Sequence, residues 1–203
     1  MIAKEILEKY HFKIKKYSKN EALFSEGTIA THYFQIISGE IKMCNFNDDG
    51  KEFVQGFFYD NQSFGEPPLF LDETYPANAI AVIETSVYVL KKEDFFKLLK
   101  ENPEVTIQMI TNLSQRMRYK AVMMAEISFQ EPEHRILKLI EYIISHFKLI
   151  KNDEGYYFID FTRQQLADLS GLRVETVIRT IKTLEKKGKI KIENRKVYVK
   201  DLI

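Results

Sequence analysis

The segment GLRVETVIRT at residues 171–180 carries side chains that could contact the edges of base pairs. Glu175 and Arg179 are four residues apart, so a helix places them on one face, and Thr176 flanks that face. An arginine can donate two hydrogen bonds to guanine O6 and N7, and a glutamate can accept one from the amino group of cytosine. Since phosphates repel a carboxylate, Glu175 favours base contact over simple charge attraction. The alternative is a surface ion pair between Glu175 and Arg179, worth about 0.3–0.5 kcal/mol.

Polar residues around this segment are candidates for contacts with a nucleic-acid backbone. Arg173 stands where a Ser, Thr or Asp helix cap is expected. Its presence is explained either by contact with a phosphate or a base, or by the helix tolerating an uncapped start. Backbone contacts position a protein without specifying a sequence. The candidates for them are Thr162, Arg163, Gln164, Lys182, Lys187 and Lys189. The apolar positions, by contrast, are predicted to be core: Leu169, Leu172, Val177, Ile178, Ile181 and Leu184.

The elements around the segment predict a helix-turn-helix with a β wing. Thr162 and Gln165 have the spacing of a capping box, which starts the first helix, and Gly171 supplies the turn. Apolar and basic residues alternate on either side of Glu193 and Asn194, which indicates a hairpin. The predicted order is helix 133–149, strand 156–160, helix 162–169, helix 173–187 and the hairpin.

Charge is distributed unevenly along the 203 residues. The whole chain has a formal net charge of +1, whereas residues 161–203 hold 11 Lys/Arg against 5 Asp/Glu, a net +6. A basic end attached to a mildly acidic remainder is the expected electrostatic footprint of nucleic-acid binding. A solvated lysine-rich surface is the alternative.

Residues 21–91 predict a different kind of domain, because short apolar stretches alternate there with turn signals. NDDG at 47–50 indicates a hairpin, since Asp-Gly readily takes positive φ. The pattern predicts an antiparallel β-barrel of the double-stranded β-helix or jelly-roll type. The single cysteine, Cys44, excludes a disulfide within the chain and an iron–sulfur cluster held by three or four of its cysteines. Cys44 is predicted to be a packing residue, with a redox sensor as the alternative.

Composition places the chain among ordinary globular proteins, with 45% hydrophobic and 29% charged residues. No apolar run reaches the roughly 18–20 residues that cross a bilayer, and the N-terminus lacks the apolar stretch of a signal peptide. We therefore expect a cytoplasmic protein without membrane contact.

A long helix is predicted between the two regions, because residues 104–129 contain no glycine or proline. Six positions follow 3,4,3,4,3 spacing, the pattern of a coiled-coil seam with one polar break. The helix either lies on its own barrel or forms the axis of a homodimer. The predicted domains are a sensor barrel at 1–102, a dimerisation helix at 103–130 and a DNA-binding domain at 131–203. The seam comprises Ile110, Leu113, Met117, Lys120, Met124 and Ile127.

Four stretches together resemble the cyclic-AMP receptor protein/FNR family of bacterial transcription regulators, over almost the full length of the chain. They are LFSEG…YFQIISGEI, FGE at 64–66, the long helix after ENP, and TRQQLADLSGLRVETVIRTIKTLEKKGKI. The resemblance implies an α+β protein that is not an enzyme, in which a β-barrel sensor, a dimerising helix and a winged helix-turn-helix act on a palindromic promoter in double-stranded DNA. RNA polymerase is the further partner that it implies.

Carried over from the family, Glu175 and Arg179 become the residues that contact bases. Val174 falls where cyclic-AMP receptors place an arginine and the FNR branch places a valine. The recognition helix is therefore similar to that of the FNR branch, and we predict a TTGA-type half-site in place of GTGA.

The predicted effector pocket departs from the family pattern. In relatives that bind cyclic AMP, an Arg-Ser pair neutralises the phosphate, and here those positions are Pro76 and Ala77. Proline supplies neither a charge nor an N–H, and a buried charge without its partner typically costs about 2–5 kcal/mol. Cyclic AMP is expected to bind poorly, so the effector is unidentified or activity is constitutive, with no cofactor. The pocket residues are Phe64, Gly65, Glu66, Pro76, Ala77, Arg116, Lys120 and Ala121.

Three alternatives stay open. A regulator that responds to a cyclic nucleotide or to haem could use Glu66, or His11 and His32. A cupin-type metalloenzyme would need a His-x-His cluster, whereas His32 is the one histidine within residues 21–91. The third alternative is a ligand sensor whose basic C-terminal end binds another protein.

Overall fold

The computed structural model describes residues 2–50, 52–129, 131–147 and 149–200, with the side chains of 126–129 outside that description. The chain consists of two compact units, Met1–Ser114 and Gln115–Ile203. No helix among the described residues combines the length and apolarity needed to span a membrane.

The first unit is built from two antiparallel sheets of four strands each. One has the order β1-β8-β3-β6 and the other the order β2-β7-β4-β5. The strands are β1 (Lys13–Tyr17), β2 (Ala22–Phe24), β3 (His32–Ser38), β4 (Glu40–Phe46), β5 (Glu52–Tyr59), β6 (Ser63–Phe64), β7 (Asn78–Ala81) and β8 (Thr85–Lys91). The helices are α1 (Lys4–Leu7), which runs into a 3-10 turn (Glu8–Tyr10), α2 (Pro67–Leu71) and α3 (Lys92–Glu101).

Aromatic rings from both sheets fill the core of this unit. Phe24 of β2 packs against Phe34 of β3 and Phe64 of β6, with ring centroids 5.6 and 6.1 Å apart. The predicted antiparallel β fold is thereby confirmed, with one difference. In the described part of the chain the strand pairs form two separate sheets instead of one closed barrel, because β1 and β5 each pair with only one neighbouring strand.

The hairpin predicted at NDDG joins β4 to β5, and Gly50 there has φ of 74°. Cys44 lies in β4, fully buried, and burial raises the pKa of its thiol to about 12. A thiol so far from ionisation is a packing group at neutral pH.

The predicted long helix is α4 (Pro103–Phe129), 27 residues long. Val105 and Met109 near its start are buried in the core of the first unit. Three seam positions are instead largely exposed in the single chain: Ile110 at 54%, Met117 at 70% and Met124 at 70%. Leu113 packs partly against the first core and Lys120 is exposed, while the side chain of Ile127 lies outside the described residues.

The second unit contains the helices and strands expected of a winged helix-turn-helix, in the predicted order. They are α5 (Pro132–His146), β9 (Tyr157–Ile159), α6 (Arg163–Ser170), α7 (Val174–Lys186), β10 (Lys191–Glu193) and β11 (Lys196–Val199), and the sheet order is β10-β11-β9. Ile140 of α5, Ile181 of α7 and Val197 of β11 belong to one buried cluster. The helices and the sheet therefore share a single core, which fixes the position of α7.

Candidate DNA interface

The start of α6 is held by a reciprocal capping box. The backbone N–H of Gln165 donates to Thr162 Oγ1 at 3.1 Å, and the N–H of Thr162 donates to Gln165 Oε1 at 2.9 Å. Both bonds satisfy N–H groups that a helix N-terminus otherwise leaves unpaired. Thr162 is exposed, so its neighbourhood stays accessible to a ligand.

A left-handed residue turns the chain between α6 and α7. Gly171 has φ of 68°, a conformation that glycine adopts without the steric cost of a Cβ. The following N–H, of Leu172, donates to the carbonyl of Ala167 at 3.2 Å, and Leu172 packs partly into the core. This close turn sets the direction in which α7 leaves.

One side of α7 is core and the other is open. Val177, Ile181 and Leu184 are at most 1% exposed, and their i, i+4, i+7 spacing forms one stripe. Ile178 was predicted to be core, and this is wrong, because its side chain is 40% exposed. At about 100° per residue, position 178 lies between the buried stripe and Glu175, about 60° around the helix from each.

The predicted base-contacting pair lies on that open side. Glu175 and Arg179 are both exposed, and no salt bridge of 4.0 Å or less joins them among the described residues. They border a shallow hollow of about 440 Å³. Neither charged group is neutralised by the other, so both are available to an external partner. The hollow is lined by Glu175, Ile178, Arg179, Lys182, Thr183 and Lys186.

The first residues of α7 carry no structural cap. Arg173 at the N-cap position has an extended backbone, and its side chain makes no capping hydrogen bond. It is exposed, whereas Val174 and Thr176 are half-buried. An exposed guanidinium at an uncapped helix N-terminus leaves both the N–H groups and the positive charge for an anion.

Two other predicted contact residues already have partners in the protein. Gln164 Nε2 donates to Asp168 Oδ1 at 2.7 Å. Arg163 Nη2 donates to the carbonyl of Arg195 at 3.4 Å, and partial burial lowers the pKa of Arg163 from its usual value. Arg195 lies in the β10–β11 turn, where its φ is 65°. Arg163 therefore ties α6 to the wing.

Basic residues continue along the exposed side of α7, and one of them, Lys186, was not among the predicted contact residues. Lys182 and Lys186 are exposed and border the hollow. Lys186 follows Lys182 by four residues, which was a usable signal for its place on the same face. Lys187 at the end of the helix differs, because its Nζ lies 2.6 Å from Glu133 Oε2.

In the first unit, the FGE motif is packed against aromatic rings. Phe64 is fully buried and Glu66 is 1% exposed at the start of α2. Gly65 has φ of 74°, and a Cβ there would lie 3.0 Å from the ring of Phe24, which stacks on Tyr75 at 3.7 Å between centroids. The space above Gly65 is therefore occupied by protein rings, and neither Phe24 nor Tyr75 was among the predicted pocket residues.

The remaining predicted pocket residues lie on different elements. Pro76 is exposed and its carbonyl accepts a hydrogen bond from Asn45 Nδ2 at 2.7 Å, whereas Ala77 is fully buried. The other three, Arg116, Lys120 and Ala121, belong to α4 within the second unit.

His11 and His32 both line a hollow of about 410 Å³, together with Lys13, Lys15 and Asp94. His11 lies in a left-handed conformation after the 3-10 turn, and burial, aided by the charge of Lys15, lowers the pKa of His32. Among the described residues no group of three or more His, Cys, Asp or Glu side chains is placed to hold a metal ion.

Comparison with known proteins adds two family matches. Residues 14–102 match the cyclic nucleotide-binding domain, and residues 136–202 match the Crp-like helix-turn-helix domain. The transcriptional activator protein Anr of Pseudomonas aeruginosa is 27% identical over 185 residues, which cover 91% of this chain and 75% of that protein. The cAMP-activated global transcriptional regulator CRP of Haemophilus influenzae is 25% identical over 191 residues, covering 93% and 84%.

A solved structure supports the fold. The regulator CLP of Xanthomonas campestris, described as responsive to c-di-GMP, superposes with a TM-score of 0.74 at 20% identity, covering 97% of this chain and 99% of that one.

Proposed function

The chain belongs to the Crp/Fnr family of DNA-binding transcription regulators, and from that premise we propose that it acts as a homodimer on a palindromic promoter with TTGA-type half-sites. The observation that carries the proposal is the exposed pair of Glu175 and Arg179, one helical turn apart on α7 and not bonded to each other. Recognition helices of this motif enter the major groove with their N-terminal residues against the bases.

The chemistry of the pair fits a C·G base pair. Arg179 would donate to guanine O6 and N7, and Glu175 would accept from the amino group of cytosine N4. Thr176 and Val174 flank the pair at the start of the helix, where Val174 favours the TTGA-type site through its likeness to the FNR branch. Arg173, Thr162 and Lys182, all exposed, would contact phosphates together with Arg163 and Gln164.

A homodimer would be formed through α4. Ile110, Met117 and Met124 expose more than half of their side chains in the single chain, at positions that recur with coiled-coil spacing. Burying such residues against a second copy removes apolar surface from water, at about 25 cal/mol per Å². Two-fold symmetry would then set the two copies of α7 about 34–36 Å apart, one turn of DNA.

The sensor unit would respond to an effector other than cyclic AMP, or to none. Pro76 offers no charge and no N–H, and aromatic rings pack over Gly65. At a promoter, the expected protein partner is RNA polymerase.

The test is a comparison of affinity for an inverted TTGA repeat and for a scrambled duplex of the same length at one salt concentration. The repeat should bind more tightly, and Arg179→Ala should remove about 1–3 kcal/mol of that preference. Lys182→Ala is the matched control, because loss of a phosphate contact lowers both affinities by the same factor. Equal affinities of the unmodified protein for both duplexes would remove the sequence-specific proposal.

A further inference from the structure

The three-stranded sheet β10-β11-β9 has one face on the core of the second unit and an opposite face that the proposed duplex contact does not use. Ile159 of β9 pairs in register with Val197 of β11, and both are buried in the core. Phe158 and Tyr198 are the next pair in that register. Because successive residues of a strand point to opposite sides, these two rings lie on the face turned away from the core.

Aromatic rings and lysines alternate over this face, which we call the aromatic sheet face. The rings of Phe158 and Tyr198 are 5.4 Å apart between centroids. Lys196 Nζ lies 4.6 Å from the centroid of Phe158. Lys191 and Lys200 lie 5.6 and 5.7 Å from the ring of Tyr156, which precedes β9 by one residue. The face thus comprises Tyr156, Phe158, Tyr198, Lys191, Lys196 and Lys200.

We propose that the aromatic sheet face binds an unpaired DNA strand. Half-buried rings on a sheet can stack on bases, and each base that stacks on an aromatic side chain contributes substantially and without regard to sequence. Lysine ammonium groups within about 6 Å of the rings are placed to follow the phosphates of the same strand. A duplex keeps its base faces stacked inside, so it can offer this surface only its backbone.

Two carboxylates limit how much positive charge the face presents. Glu193 and Glu154 lie 3.2 and 3.7 Å from Lys191 Nζ, and the hydrogen bond that Lys191 donates to Glu193 is the main cause of the raised pKa of Lys191. Lys196 and Lys200 form no salt bridge among the described residues, and both are exposed. We therefore expect these two lysines to supply most of the attraction, and binding to weaken as salt rises.

The face is separate from the base-contacting side of α7. Val177 and Ile181 attach α7 to the same core that the sheet covers with Ile159 and Val197, and the rings point outward from that core. The choice of DNA over another polymer rests on the proposed function, because a protein held at a promoter meets an unpaired strand where the duplex opens. The stacking geometry itself does not depend on Glu175 or Arg179.

The test measures binding of the full chain to a fluorescent twelve-nucleotide oligothymidylate by anisotropy at low salt. Tyr198→Leu should weaken this binding by about tenfold, since loss of one stacked base is worth roughly that factor or more. Tyr198→Phe keeps the ring and should bind like the unmodified protein. Affinity of both variants for the TTGA duplex and their thermal unfolding should be unchanged, which separates loss of stacking from loss of fold.

Three results would overturn the proposal. They are no measurable binding of oligothymidylate, equal affinities of Tyr198→Leu and the unmodified protein, and a loss of binding with Arg179→Ala in place of Tyr198→Leu. Two further results would also overturn it. Stronger binding of oligouridylate than of oligothymidylate would reject DNA as the ligand, and tighter binding of polyglutamate than of oligothymidylate would indicate an acidic protein partner instead. If the TTGA preference fails while the Tyr198 dependence holds, only the function proposed for α7 is rejected.

Discussion

Lys187 Nζ lies 2.6 Å from Glu133 Oε2, so the C-terminal end of α7 is joined to the first turn of α5. Both side chains remain substantially exposed, at 57% and 35%, and a pair in such a position contributes at most about 1 kcal/mol to stability. Its consequence is electrostatic. Glu133 partly neutralises Lys187, whereas Lys182 on the same helix is exposed and has no salt bridge within the described part of the chain.

The two lysines should therefore differ in DNA binding. Lys182→Ala should lower affinity for every duplex alike and reduce the slope of log affinity against log salt by about one. Lys187→Ala is the matched control on the same helix and should change the slope less, because its charge is already shared with Glu133. Titrations at several salt concentrations measure both slopes. Equal changes in slope would show that the ion pair opens when DNA binds.

The exposed methionines of α4 predict how the protein assembles. Replacing Met117 and Met124 together by glutamate puts two charges at seam positions one heptad apart, and should convert a dimer into a monomer. Sedimentation measures the change, and affinity for the palindromic duplex should fall with it. Gln115→Glu is the control, because residue 115 is exposed and lies about 200° around the helix from Met117. A double variant that stays dimeric would place the interface elsewhere.

The capping box predicts a measurable loss of stability at the start of α6. Thr162→Ala removes the acceptor for the Gln165 N–H and should lower the free energy of unfolding by about 0.5–2 kcal/mol. Thr162→Ser keeps a hydroxyl and should stay close to the unmodified protein. Denaturant titration followed by circular dichroism compares the two. Identical losses would mean that the threonine methyl group, and not the hydrogen bond, stabilises this turn.

A half-buried histidine predicts how the stability of the second unit depends on pH. His146 stacks on Tyr142 with centroids 4.9 Å apart, and burial, reinforced by the charge of Arg116, lowers the pKa of its imidazole. A lowered pKa in the folded state means that stability is complete above the unfolded value of about 6.5 and is lost as pH falls through the folded value. The unfolding midpoint should therefore decrease as the pH is lowered from neutral to acidic values.

His146→Phe isolates this contribution, because phenylalanine keeps an aromatic ring beside Tyr142 and cannot titrate. Its unfolding midpoint should fall less steeply over the same pH range than that of the unmodified protein. The pKa of His32 is also lowered by burial, and that contribution remains in both proteins and cancels in the comparison. Parallel curves would show that His146 titrates alike in the folded and unfolded states.

The local pattern of apolar and polar residues predicted most of the helices and strands. It did not predict the strands or side-chain positions that depend on contacts with residues distant in the sequence. The alternating apolar stretches of residues 21–91 predicted a β domain there, whereas β1 (Lys13–Tyr17) was missed because four of its five residues are exposed and three are lysine. It is a strand because it pairs along its length with β8 at the edge of the sheet. Such pairing joins segments about 70 residues apart, which no short window of sequence contains.

The same limit applies to the sites. The spacing of Glu175 and Arg179 was enough to place both on one exposed face, and Ile178 was misassigned because an apolar side chain near a core stripe is usually buried. The proximity of Phe158 to Tyr198 depends on the register of β9 and β11. The rings over Gly65 come from Phe24 and Tyr75, which are distant in sequence.

The packing of the first unit predicts that cyclic AMP changes neither the stability of the protein nor its affinity for DNA. A ligand that binds only the folded state at one hundred times its dissociation constant would add about 2.7 kcal/mol to stability, which a thermal shift detects readily. Pro76 cannot neutralise a phosphate, Ala77 is a fully buried methyl group, and Phe24 packs at 3.0 Å from the position a Cβ on Gly65 would occupy. We therefore expect no shift in the unfolding midpoint and the same duplex affinity with and without cyclic AMP. A saturable upward shift would instead show that the rings move aside and that another group takes over the charge of the missing arginine.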